Sequence, residues 1–110
     1  MAKKNIKFIQ INLHHAKASS YILSKIFIQS KLDIAFLQEP WAYNNKVLGL
    51  PTQNCKLVYD SSHLSPRAAI LVNMNMRFVP ITEFIDKDIA AVMIEVPTTK
   101  GKTVLYAASA

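Results

Sequence analysis

A chain of 110 residues has room for one small core, and its 51% apolar and 18% charged residues lean to the apolar side of a soluble domain. Thirteen Lys and Arg against seven Asp and Glu leave a net charge of +6, which favours polyanionic partners such as nucleic acid or an acidic membrane surface, the alternative being a basic but otherwise ordinary domain. The lone Cys55 excludes an internal disulfide and a CxxC zinc motif, and no run approaches the roughly 18 apolar residues of a membrane span. Together these predict a soluble intracellular chain in a reducing compartment.

The opening MAKKNIKFIQINLHH is basic, but Gln10 and Asn12 interrupt its apolar run and no small-residue cleavage site follows, so it is not read as a signal peptide. Residues 5–13 instead predict a strand. Ile6, Phe8, Gln10 and Asn12 lie on one face, with Lys7, Ile9, Ile11 and Leu13 on the other. Both faces are largely apolar, which predicts a central strand covered on both sides.

From about Ala16 to Ser30 the period becomes helical, with Ile22, Leu23, Ile26 and Phe27 forming the apolar stripe. Asp33 to Gln38 then reads as a second buried strand. Strand, helix and strand in this span make a βαβ unit, whose strands are parallel with a right-handed crossover.

After Pro40 the segment WAYNNKVLGLPTQN carries turn residues without a clean period and predicts a long surface loop. Strands follow at 56–60, 67–73 and 89–96, with a weaker one at 77–81. SSHLSP and EFIDKD read as turns between them. The last strand pairs through TTKGK with TVLYAASA, where Gly101 supplies a positive-φ turn position. A chain stopping inside an apolar strand reads as a truncated domain.

In a βαβ unit, ligands bind beyond the carboxyl ends of the strands, where Asn12 closes the first and Glu39 follows the second. An amide oxygen and a carboxylate at matching depth are suited to one hard cation such as Mg²⁺, the alternatives being a turn residue and a solvated strand end. His14 and His15 follow in the turn, and Arg67 begins RAAILVN with a guanidinium fork suited to phosphate or to an ion pair. Asp86 and Asp88 in FIDKD read as ordinary turn composition, and Asp60 and His63, which flank Ser61 and Ser62, are assigned no role. Trp41 and Tyr43 either stack on an exposed base or close the end of the core.

In this order QINLHHAKAS, DIAFLQEPW, PRAAILVN, DKDIAAVMIEV and VLYAASA resemble the N-terminal half of the endonuclease domain of non-LTR retrotransposons. That domain belongs to the endonuclease/exonuclease/phosphatase superfamily, with apurinic endonucleases and DNase I. The resemblance implies an α/β fold, the N-terminal half of a two-sheet DNase I-like sandwich with a mixed sheet and a helix on its outer face. It makes Glu39 the metal-binding glutamate and Asn12 its companion at the metal and phosphate site, with His14 and Arg67 as candidate nucleic-acid contacts.

The implied reaction is Mg²⁺- or Mn²⁺-dependent hydrolysis of a DNA phosphodiester, a nick that primes reverse transcription in the nucleus. A C-terminal endonuclease half and a reverse transcriptase domain are the implied neighbours. His14 stands where many relatives carry an acidic or amide residue. The family's later tyrosine, Asp and Asn, and Asp-His pair have no counterpart by Ala110, and Tyr106 lies too early in its strand to substitute. Residues 1–110 alone are therefore expected to be inactive, with apolar strand faces left open for a facing sheet from the missing half. The alternatives are a degenerate nucleic-acid-binding fragment and a phosphatase of the same superfamily.

Overall fold

The computed structural model describes residues 5–110 apart from His63; the basic MAKK start lies outside the described residues. The described residues form a mixed α/β structure with one α-helix. Strand β1 (Phe8–Asn12) leads through α1 (Lys17–Gln29) into β2 (Ile34–Gln38). After the short strands β3 (Ala42–Tyr43) and β4 (Lys46–Val47) come β5 (Cys55–Val58), β6 (Ala68–Asn73), β7 (Arg77–Pro80), β8 (Ala90–Thr98) and β9 (Gly101–Ser109).

The main sheet has the order β1-β2-β6-β5, with β1 parallel to β2 and the other pairings antiparallel. The βαβ unit is thus present with its strands in register, Asn12 beside Gln38. A three-stranded antiparallel sheet, β7-β8-β9, follows, and Gly101 at φ 126° turns the β8–β9 hairpin as its sequence predicts.

Alternation along β2 and β6 creates two hydrophobic clusters. Ala35, Leu37, Ala69 and Leu71 point to one face and pack under Leu23 and Phe27 of α1. Ile34, Ile70 and Val72 point to the other, where Val58 of β5 and Ala90, Val92 and Ile94 of β8 complete the cluster. The second face of the main sheet is therefore not left open. The chain's own β8 covers it, which corrects the expectation that a facing sheet comes only from elsewhere.

Strand β1 departs from expectation too. It lies at the edge of its sheet, and Phe8 is 64% exposed although its ring meets Phe36 edge-on at 5.9 Å. Ile9 and Ile11 do pack under the helix and Ile6 joins the second cluster, while the second sheet makes its main contacts with β2, β5 and β6.

Helix α1 buries Ser20, Leu23 and Phe27, while Ile22 and Ile26 of the expected stripe remain exposed. The small Ser20 lets the loop at Gly49 approach, and Ser24 Oγ donates to the Gly49 carbonyl at 2.7 Å. The helix ends in a Schellman motif without glycine: Lys31 takes φ 52°, Lys31 N–H donates to the Ile28 carbonyl, and Leu32 N–H donates to the Phe27 carbonyl. The expected long loop after Pro40 contains the β3–β4 hairpin, whose Asn44 and Asn45 both adopt positive φ, as a tight primed turn requires. The EFIDKD turn contains one 3-10 turn at Thr82–Phe84. No helix among the described residues is long and apolar enough to cross a membrane.

Strand β6 supplies side chains to both clusters, so each face should be separately sensitive. Ile70→Ala and Leu71→Ala should each lower unfolding free energy by about 2–5 kcal/mol in urea denaturation. Lys56→Ala, at the exposed edge strand, should stay within about 0.5 kcal/mol.

Candidate active site

The parallel strands β1 and β2 end at the same level, and the chain leaves both through left-handed backbone. His14 and His15 have φ of 52° and 55°, and Glu39 has φ 48°. Residues with a Cβ enter this region at a cost, and such conformations persist where neighbours over-determine them.

Three backbone hydrogen bonds do so here. Leu13 N–H donates to the Gln38 carbonyl at 2.9 Å, Glu39 N–H to the Arg67 carbonyl at 2.9 Å, and His15 N–H to the Glu39 carbonyl at 2.8 Å. Glu39 is thereby clamped between the turn after β1 and the start of β6.

Its side chain is held as firmly. Asn12 Nδ2 donates to Glu39 Oε2 at 2.5 Å, while Asn12 Oδ1 accepts the His14 N–H at 2.8 Å. Asn12 thus orients the carboxylate with one end of its amide and fastens the turn with the other. On the far side His15 Nε2 stands 3.4 Å from Glu39 Oε1, and its Nδ1 lies 3.2 Å from the Pro40 carbonyl. The hydrogen bond from Asn12 holds the Glu39 carboxyl below the ordinary glutamate range, against the opposing effect of partial burial. His15, His14 and Arg67 lower it further.

Glu39 opens onto a shallow cleft lined by Asn12, Gln38, Arg67, Asp88, Ile89 and Ala110. Arg67 Nη1 lies 3.6 Å from Asp88 Oδ1, and both side chains are more than half exposed. Such a pair contributes little, so the guanidinium remains available to an incoming anion. Next to Ala110, Ser109 ties the end of β9 to β2: its Oγ donates to the Leu37 carbonyl and accepts from Gln38 Nε2, both at 2.9 Å. Asp86 is a turn residue as its sequence predicts, accepting the N–H groups of Asp88 and Ile89.

The structure therefore brings Asn12, Glu39 and Arg67 together. It gives the His14 backbone a part in fixing Asn12 and turns the imidazole of His15 toward Glu39. Asp88 and Ser109 are additions that the sequence did not signal, since a carboxylate in a turn and a serine in a strand have ordinary uses. Tyr43 is 74% exposed on its hairpin and Tyr106 75% exposed on β9.

The donors available to a cation here are the Glu39 carboxylate and, in the same cleft, that of Asp88. Glu39 offers an ionised, half-exposed carboxylate, and no group of three or more His, Cys, Asp and Glu that could hold a metal occurs among the described residues. Mg²⁺ keeps several waters and takes one or two carboxylates with phosphate oxygens, which suits such a set.

Two measurements test this construction. In metal-free protein the Glu39 carboxyl should titrate by NMR below an ordinary glutamate, and Asn12→Ala should move it back up. Because the folded value is depressed, its stabilising contribution is complete above the unfolded glutamate value and lost as pH falls through the folded one. Glu39→Gly should melt at a higher temperature than Glu39→Ala, because glycine alone adopts this backbone without penalty. Equal melting would speak against strain at this position.

No family model matches the sequence, and no curated protein matches it. Among solved structures, the chain is similar to the endonuclease domain of TRAS1, a telomere-specific non-LTR retrotransposon, with a TM-score of 0.68 and 19% sequence identity. The match covers 96% of this chain and 43% of that one, so the chain spans less than half of the relative's length. Over nearly every residue of this chain the fold is similar to that of part of a retrotransposon endonuclease domain.

Proposed function

We propose that this chain is the N-terminal part of a Mg²⁺-dependent DNA endonuclease domain of a retrotransposon polyprotein, built on a two-sheet DNase I-like sandwich. The observation that carries the reading is the Glu39 carboxylate, fixed by Asn12 at the ends of two parallel strands and opening onto a cleft that also holds Arg67.

In this reading Glu39 holds the cation through its carboxylate, and Asn12 keeps that carboxylate ionised and aimed. The bound Mg²⁺ would supply charge stabilisation to a phosphodiester undergoing in-line attack by water. Arg67 exchanges its weak pairing with Asp88 for a phosphate oxygen, with its fork matching two of them. The strand break leaves a 3′ hydroxyl from which reverse transcription can be primed. A general base and further phosphate-orienting groups belong to the part of the domain that this chain does not match, so the 110 residues alone should not cleave.

Plasmid nicking tests the assignment. In the longer natural protein Glu39→Ala should lower Mg²⁺-dependent nicking at least a hundredfold, and the 110-residue chain should show none. A Glu39→Ala protein that nicks as fast as wild type overturns the reading. Binding of DNA that falls steeply with salt, with no nicking by the longer protein, would favour the alternative of nucleic-acid binding without chemistry. Cleavage of inositol phosphates in preference to plasmid would identify a phosphatase instead.

A further inference from the structure

Beside the carboxylate stands a second cluster that the proposed chemistry does not use. Lys17, in the first turn of α1, places its Nζ 5.7 Å from the ring centre of Tyr21 and 5.8 Å from that of Trp41. The two rings meet edge to face at 6.2 Å and 86°.

Trp41 is wedged in place: a Cβ at Gly49 would come within 2.9 Å of its Cε3, and Gly49 is itself held at φ 79° and hydrogen-bonded to Ser24. Leu48 N–H also donates to the Trp41 carbonyl at 2.8 Å. Tyr21, by contrast, is 53% exposed. Among the described residues the Lys17 ammonium makes no ion pair, so its three N–H donors face an anion without competition.

A rigid indole, an exposed phenol ring standing on it and an unpaired cation between them are the parts of a stacking platform with a phosphate contact. Position links this platform to the cleft. Trp41 follows Glu39 by two residues, a reach of at most about 7 Å of chain, and the intervening Pro40 carbonyl is held by His15.

We infer that Lys17, Tyr21 and Trp41 form a docking site for an unpaired nucleotide of a DNA strand, the base stacking on Tyr21 and its phosphate pairing with Lys17. This deepens the endonuclease reading by naming a strand contact next to Glu39, and it implies a preference for locally unpaired DNA.

The chain's one tryptophan makes the test direct. A short oligothymidylate is titrated into the 110-residue protein in the presence of a chelator, with Trp41 emission as the signal. Saturable quenching is expected. Tyr21→Ala should weaken the midpoint about tenfold while Tyr21→Phe, which keeps the ring, stays near wild type. Lys17→Ala should also weaken it and lower the salt slope by about 0.7. Lys102→Ala, in β9 near the exposed tip of the β8–β9 hairpin, should change neither.

Absent quenching, or a Tyr21→Ala protein that binds as wild type, overturns the inference. So does inorganic polyphosphate binding as tightly as the oligonucleotide, because charge alone would then account for the signal. The experiment needs no cleavage. Quenching with an active Glu39→Ala nuclease would sink only the catalytic assignment, and silence with an inactive one would sink only the platform.

Discussion

The left-handed turn at Glu39 is the constraint on which the rest of the site depends. A glutamate in that conformation is unfavourable, and it survives because its N–H and carbonyl are both claimed, by Arg67 and His15 respectively. These same bonds bring the start of β6 and the turn after β1 to the carboxylate. Asn12 then needs only its side-chain length to reach across between adjacent parallel strands. A strained backbone, an oriented carboxylate and a nearby guanidinium are consequences of one local geometry.

That geometry requires the two strands to be immobile, and the packing supplies this. Strands β2 and β6 are covered by α1 on one face and by β8 on the other, so the central pair of the main sheet is largely buried. The edge strand β1 is less protected, with Phe8 largely exposed. Its alignment rests on its ladder with β2 and on Ile9 and Ile11 beneath the helix.

Much of this was legible in the residues. Period-two and helical patterns located the βαβ unit, whereas position at the strand ends left Asn12 and Glu39 open between cation ligands and ordinary turn or solvated residues, and only the ordered motifs favoured the ligands. The remainder depended on contacts between distant segments. The exposure of β1 reflects how far the second sheet extends, which no pattern within NIKFIQINL encodes. His15 rather than His14 faces Glu39 because of two successive left-handed residues, and neither is glycine or asparagine, the usual marks of such a turn. Ser20 replaced Ile22 and Ile26 on the buried helix stripe because the Gly49 loop lies over it. Trp41 could be read as core or as stacking surface from sequence; the contribution of Tyr21 and Lys17 became visible only when α1 was placed beside it.

The latch at Ser109 gives the β8–β9 ribbon two unlike ends. At its root Ala90, Ala91 and Ser109 are buried and β9 is tied to the backbone of β2, whereas from Pro97 to Tyr106 the ribbon is exposed. Such a gradient divides mechanical duties along a single hairpin. The root serves as a rigid wall of the cleft, and the tip can bend, twist or pair with other strands while the carboxylate stays where Asn12 has set it.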